Sequence, residues 1–328
     1  MKKTLAVITL LAFALAPLSL SAASWLERED VQAFIDRMES EHELERDWLE
    51  SVFANVIRQD AVLEAIASPA EAMPWHRYRP IFLTEARIEG GVRFWEENES
   101  TIRRASQEYG VDPEMIVAII GVETYYGRHK GRHPVLDSLV TLGFDYPPRA
   151  SFFRRELEQL FLLADEESLD IHELQGSYAG AMGLGQFISS SWRAYAVDFS
   201  GSGNRDLYND LEDGIGSVAN YFARHGWRGG DAVVVPAVLP DDHSYEIGNP
   251  LQRRPASELR RAGLIFSEGI ADEEQVLPVR LEQADGEIRW WVGLNNFWSI
   301  TRYNHSPLYA MAAWELSREI ARARNEQL

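Results

Sequence analysis

Residues 112–127 read DPEMIVAIIGVETYYG, and this stretch decides the fold. Asp112 is a residue type that caps helix starts, and Pro113 suits a first helical position because its fixed φ is already helical and its missing N–H costs nothing there. From Met115 to Val122 every position is apolar or side-chain-free, so the predicted helix has no polar face and must be buried all round. Such a helix needs other helices to cover it. On its N-terminal side helical spacing recurs, with Val31, Phe34 and Ile35 on one face, Trp48, Val52, Phe53 and Val56 on another, and a third stretch from Thr84 to Tyr109. On its C-terminal side Ser151 to Glu166 and Leu211 to His225 read as amphipathic helices. Beyond Gly230 the texture turns β-branched and aromatic, at Val233–Val238, Val276–Leu281 and Glu287–Val292, before a helix from Pro307 to Arg324. The predicted class is mainly α (α+β). A helical domain spans 24–110 and is completed by 307–325, a core spans 111–230, and a small β-rich subdomain spans 231–306.

The chain has 328 residues, about two domains by length. Its 32 Lys and Arg against 51 Asp and Glu give a formal charge of -19, which opposes nonspecific binding to nucleic acid or anionic membrane. The absence of Cys excludes disulfides, thiolate metal sites, cysteine nucleophiles and lipoprotein attachment. Lys2 and Lys3, the apolar run Leu5–Leu15, Pro17 and the small residues Ser21, Ala22 and Ala23 form a cleavable export signal over residues 1–23. The expected location is the periplasm, without a stable membrane anchor.

Glu123 closes the apolar run. Burial disfavours a charged carboxylate, and the negative end of a helix acts the same way, so this carboxyl should hold its proton near neutral pH and serve as a general acid. The alternative is a buried Glu salt-bridged to an arginine. Its surroundings, Gly121-Val122-Glu123-Thr124-Tyr125-Tyr126-Gly127-Arg128, are similar to the catalytic signature of the lytic murein transglycosylases of the membrane-bound B type. Further blocks resemble the same family in the same order. They are Tyr146–Ala150, Gly176–Gly183 with Gly185-Gln186-Phe187, Ala196–Gly201, and Thr301–Ser306.

The resemblance implies a lysozyme-like catalytic core that cleaves the MurNAc to GlcNAc bond of peptidoglycan glycan strands. Glu123 would act first as acid on the glycosidic oxygen and then as base on the MurNAc C6 hydroxyl, giving a 1,6-anhydro end. One carboxylate suffices where the substrate's N-acetyl group stabilises the developing charge. Without a lipid-bearing Cys, this chain reads as the family's soluble counterpart. Ser177, Gln186, Tyr303 and Asn304 would bond sugar hydroxyls and acetamides, while Tyr78, Phe187 and Tyr309 would offer flat surfaces to sugar faces. Arg149 matches a family arginine placed near the substrate's charged or peptide portion, and Pro148 stands where the family has a second one.

Two further patterns need weighing. The glycines at 176, 180, 183 and 185 could suggest a phosphate loop, but no strand pattern precedes them and Lys130 is the only Lys beyond position 3. Asp198, Ser200, Ser202 and Asn204 alternate around Gly203 as an EF-hand turn requires, with Asp213 or Glu212 as a displaced final ligand in the loop 198–213. The resemblance implies structural calcium there, none being required for chemistry, and Ser202 in place of a carboxylate weakens it. The competing functions are a hydrolytic muramidase, needing a second carboxylate such as Asp137, Asp145 or Asp206, and an inactive peptidoglycan-binding scaffold.

Overall fold

The computed structural model describes residues 25–67 and 73–327; residues 1–23, expected to be an export signal, lie outside the described residues. The chain divides into two compact units, the first ending at Val56 and the second beginning at Ile57. In the first, α1 (Glu29–His42) and α2 (Arg46–Ala54) form because apolar residues recur at helical spacing. They bury Val31, Phe34, Ile35 and Met38 of one helix and Leu49, Val52 and Phe53 of the other. Phe34 meets Phe53 edge to face at 6.0 Å.

In the second unit α3 (Asp60–Ile66), α4 (Trp75–Phe82), α5 (Glu85–Glu97) and α6 (Glu99–Tyr109) lead to the buried helix α7 (Pro113–Thr124). The stretch Thr84–Tyr109, expected as one helix, is two. At Asn98 φ and ψ are -118° and 22°, and its side chain donates to Phe94 O at 2.9 Å, competing with the helical pattern. Pro113 opens α7 as expected, with Met115 to Gly121 all buried. Asp112 stands at the N-cap but makes no capping bond. Its carboxylate accepts instead from Trp227 Nε1 and Gly230 N, each at 3.0 Å, fastening the start of α7 to a segment more than a hundred residues away.

After α7 come the short strand β1 (His133–Pro134), α8 (Val135–Asp145), α9 (Ala150–Glu167), β2 (Gln175–Gly176), α10 (Ser189–Tyr195) and α11 (Leu211–Arg224). β1 and β2 pair antiparallel, His133 opposite Gly176. A second sheet follows, made of β3 (Val234–Val238), β4 (Arg254–Pro255), β5 (Ile265–Phe266), β6 (Gln275–Glu282) and β7 (Ile288–Gly293), in the order β4-β6-β7-β3-β5. Between β4 and β5 lies α12 (Ala256–Arg261). Side chains alternate across a strand, so Leu277, Val279 and Leu281 of β6 enter the core that holds α7, while Val276 joins Leu259 of α12 in a smaller cluster.

Finally α13 (Asn295–Tyr303) and α14 (Pro307–Gln327) return the chain to the helices. α14 packs on α7, α5, α4 and α13, supplying the cover that an all-apolar helix demands. The whole is mainly helical with a small sheet, as the sequence pattern predicts. Among the described residues no helix is long and apolar enough to cross a membrane.

Candidate active site

Glu123 lies in the last turn of α7, and what ends that helix also fixes the carboxylate. Tyr125 and Tyr126 adopt left-handed φ of 52° and 62°, followed by Gly127 at 83°. For non-glycine residues such backbone costs on the order of 1–3 kcal/mol each and persists only where packing over-determines it. Here the Tyr126 ring fills a slot between helices. A Cβ added at Gly121 would sit 2.5 Å from its hydroxyl, and one at Gly91 2.6 Å from it. The hydroxyl donates to Arg87 O at 2.8 Å. Thr124, fully buried, adds a second fastening: its Oγ1 accepts from Gly127 N at 3.0 Å and lies 3.0 Å from Leu184 O.

The carboxyl group meets Tyr309, from the first turn of α14, whose hydroxyl donates to Glu123 Oε1. Burial pushes the Glu123 pKa up to about 7, and the tyrosine bond opposes it. No cation among the described residues takes part, so the salt-bridged alternative does not apply. Burial holds the phenols of Tyr303 and Tyr309 well above their ordinary range, and the neighbouring Glu123 charge adds to the effect in both. Both phenols therefore stay protonated. The result is a carboxyl poised between its two charge states, with one neutral donor beside it, the arrangement a general acid that must later act as a base requires.

Tyr303 and Tyr309 thus converge on Glu123, and Tyr78 lies close enough to influence Tyr309. The Tyr303 hydroxyl donates to Gly185 O at 2.6 Å. Phe187 is buried under that ring, 5.9 Å from it, and Tyr78 is buried against Phe82 at 5.2 Å. Both are therefore packed side chains at 2% exposure and not the open sugar platforms expected from residue type. Gln186 holds a left-handed φ of 51°, and its amide donates to Lys130 O at 3.0 Å and Gly183 O at 3.1 Å. Ser177 Oγ accepts from Ala181 N at 3.0 Å and closes its own turn. Gly183 is required at this turn, because φ is 70° and a Cβ would press to 2.6 Å from Leu207 O. Asn304 caps α13. Arg149 stands apart, its guanidinium 4.3 Å from the Phe152 ring.

The three aspartates available for a two-carboxylate mechanism are otherwise engaged. Asp137 accepts from Ile57 N at 3.2 Å and Gln59 Nε2 at 3.0 Å, Asp145 pairs with Arg58 at 2.6 Å, and Asp206 accepts from Tyr208 N and Asn209 N, each at 2.9 Å. In the loop 198–213, Asp198 Oδ1 accepts from Gly201 N and Ser202 N at 2.8 and 2.9 Å, and Oδ2 accepts from Gly203 N at 2.9 Å. The buried Asp213 accepts from the amides of Phe199, Ser200 and Asp206 at 2.7, 2.9 and 2.9 Å. Ser202 Oγ donates to Asn204 Oδ1 at 2.9 Å. Of the five expected ligands, Asp198 and Asp213 are carboxylates and Ser200, Ser202 and Asn204 offer neutral oxygens. Among the described residues no three His, Asp or Glu side chains gather to hold a metal ion.

Sequence reasoning passed over Thr124, Tyr126 and Tyr221. Tyr221 donates to Arg302 O at 2.6 Å and packs on Tyr303 at 4.7 Å. Only its place near a turn of α11 from His225 hinted at it, for the two rings stack at 4.1 Å.

Comparison with known proteins follows the same line. Residues 26–318 match the model of the transglycosylase SLT domain family. The chain is 43% identical over 306 residues to membrane-bound lytic murein transglycosylase B of Escherichia coli K12, covering 90% of this chain and 83% of that protein. The catenated lytic transglycosylase SltB1 of Pseudomonas aeruginosa superposes with a TM-score of 0.83 at 46% identity, covering 90% of this chain and 98% of that one. Escherichia coli Slt35 in complex with calcium gives 0.82 at 43% identity, covering 92% and 95%.

Proposed function

Since the chain belongs to the transglycosylase SLT domain family and is a lytic transglycosylase of the murein transglycosylase B kind, we infer that it cuts the MurNAc–GlcNAc β-1,4 bond of peptidoglycan strands and leaves 1,6-anhydroMurNAc ends, with Glu123 as its single acid and base. The observation carrying this reading is the Glu123 carboxyl, held near pKa 7 by burial and bonded to a single neutral donor. In its protonated form it gives its proton to the glycosidic oxygen as that bond breaks. The substrate's own acetamide stabilises the positive charge at the sugar. The carboxylate then takes the C6 hydroxyl proton as that oxygen attacks C1, which closes the anhydro ring and restores the acid.

Tyr309 steadies the Glu123 carboxyl as its neutral donor, Tyr303 stands beside it tied to Gly185 O, and residues 111–230 form the lysozyme-like core. The test is mass spectrometry of soluble products from purified sacculi. Muropeptides one water lighter than hydrolytic products, absent with Glu123→Gln, are expected. Hydrated reducing ends would make the protein a muramidase, and no products from the wild type would make it a binding scaffold.

Two further parts of this reading are tested separately. Calcium binds weakly and structurally in the loop 198–213 through Asp198, Ser200, Ser202, Asn204 and Asp213; the calcium complex of Slt35 supports this, and the small acidic set limits affinity. Equal melting temperatures in calcium and in chelator would refute it. Action in the periplasm rests on residues 1–23, and deleting them should leave the protein in the cytoplasmic fraction.

A further inference from the structure

Three helix glycines face one tyrosine. Gly90 and Gly91 lie in the middle of α5 and Gly121 near the end of α7, positions where alanine would favour the helix more. The Tyr126 ring accounts for all three. A Cβ at Gly90 would meet its Cε2 at 3.0 Å, one at Gly91 its hydroxyl at 2.6 Å, and one at Gly121 its hydroxyl and Cζ at 2.5 and 2.6 Å. Tyr126 in turn holds a left-handed φ of 62°, next to Tyr125 at 52°. Weak helix positions and strained backbone thus gather at the turn that directly follows Glu123.

Gly91 is also where α14 comes in. A Cβ there would lie 2.6 Å from Ile320 Cδ1. Ile320 and Tyr309 belong to the same helix, about three turns apart. The element carrying the acid and the element carrying its donor are therefore seated on α5 at one point, the first through Tyr126 and the second through Ile320. Arg87, one turn before Gly91, secures the tyrosine pair. Its carbonyl accepts from the Tyr126 hydroxyl at 2.8 Å, while its guanidinium lies 4.9 Å from the centre of the Tyr125 ring and donates to Ile81 O at 2.5 Å. A hydrogen bond weakens steeply with misalignment, so a small rotation of the turn after Glu123 would weaken the Tyr309 bond. The titratable groups facing Glu123 are Tyr309 of α14 and Tyr303 of α13, with Tyr78 of α4 acting on Tyr309. Arg87 of α5 acts on Tyr125 and Tyr126.

We propose that Tyr126 is a positioning residue for the reaction: with its hydroxyl bonded to Arg87 O and seated at Gly91 beside Ile320, it sets the Glu123 carboxyl in register with the Tyr309 hydroxyl. This rests on the reading of Glu123 as acid and base. The role is exerted through the acid, so it governs turnover and leaves glycan binding alone.

The experiment pairs the kinetics of cleavage of soluble glycan strands with titration of the Glu123 carboxyl by carbon NMR, its signal assigned by its loss in Glu123→Gln. Tyr126→Phe keeps the ring and removes the bond to Arg87. It should lower kcat about tenfold with KM within about twofold, and raise the Glu123 midpoint, about 7 in the wild type, by about half a pH unit as the Tyr309 bond that opposes burial loosens. Ile320→Val, which withdraws the methyl seated at Gly91, should act in the same directions to a smaller extent. In a Tyr309→Phe background, Tyr126→Phe should leave the midpoint where Tyr309→Phe alone puts it. Tyr245→Phe, which removes a hydroxyl bonded to Arg254 of β4 at 2.7 Å, should move neither kcat nor the midpoint. A kcat loss with the midpoint unmoved would make Tyr126 a structural residue only and overturn the proposal, as would an unchanged kcat or a midpoint that Tyr126→Phe still shifts without Tyr309. Full cleavage by Glu123→Gln would defeat the reading of the acid, whereas a midpoint that depends on Tyr126 only when Tyr309 is present would still establish the positioning.

Discussion

Glu123 and Asp213 are two carboxylates surrounded by protein, and the molecule treats them oppositely. Asp213 receives three backbone amides and ties together both arms of its loop. Glu123 receives one phenol, and burial lifts its pKa to about 7. A carboxylate saturated with amides is a fastening. One left almost alone can change its charge, and that is where chemistry becomes accessible. Number of donors, more than depth of burial, separates the two roles.

The largest expected effect breaks the comparison at its reactive end. Glu123→Gln should lower the rate of soluble muropeptide release by about a thousandfold or more, roughly 4 kcal/mol of barrier. The same change should raise stability by about 1 kcal/mol at pH 8, seen as a higher Tm, because a carboxyl with a raised folded pKa stabilises below its ordinary value of 4.5 and loses that contribution as pH rises through about 7. At the other end Asp213→Ala should leave three backbone amides without their acceptor and lower stability by about 2 kcal/mol in denaturant unfolding.

A subtler change sharpens the contrast by altering the donor count at Glu123 from one to none. Tyr309→Phe removes the bond that opposes the raised pKa, so the alkaline limb of the pH–rate profile, near 7 in the wild type, should move upward while the maximal rate falls about tenfold. The sign follows from the acid role, since the protonated fraction is lost as pH climbs past the pKa. An unchanged limb would show that Tyr309 does not tune the acid. Smallest is calcium at the fastening end. At millimolar concentration it should add no more than about 1 kcal/mol to stability, and Asp198→Asn should abolish that increment.

The helices were legible wherever the apolar spacing was continuous. α7 could be read from its lack of any polar position, and α9 and α11 from their amphipathic stripes. Asn98 was harder, for its side chain breaks the α5–α6 run through a local bond that spacing does not register. Among site residues, Glu123 stood out because a lone carboxylate ended an apolar run. Tyr309 was legible as an aromatic site residue but not as the donor to Glu123, because that contact joins residues 186 positions apart. The slot around Tyr126 was illegible for a similar reason: Gly91 and Gly121 look like ordinary helix weaknesses until the ring that fills the gap is in view. Phe187 and Tyr78, chosen as sugar platforms for their chemistry, lie buried at 2% exposure each, and nothing in residue type alone separates a platform from a wall.

The distance along the chain between acid and donor also sets an order in time. Glu123 is synthesised first, and 186 residues must follow before Tyr309 exists to meet it. Until α14 is made, α7 lacks one of the helices that cover it. A nascent chain arrested between Glu123 and α14 therefore carries the acid without its donor, and the lytic activity is withheld until translation has passed the segment that supplies Tyr309.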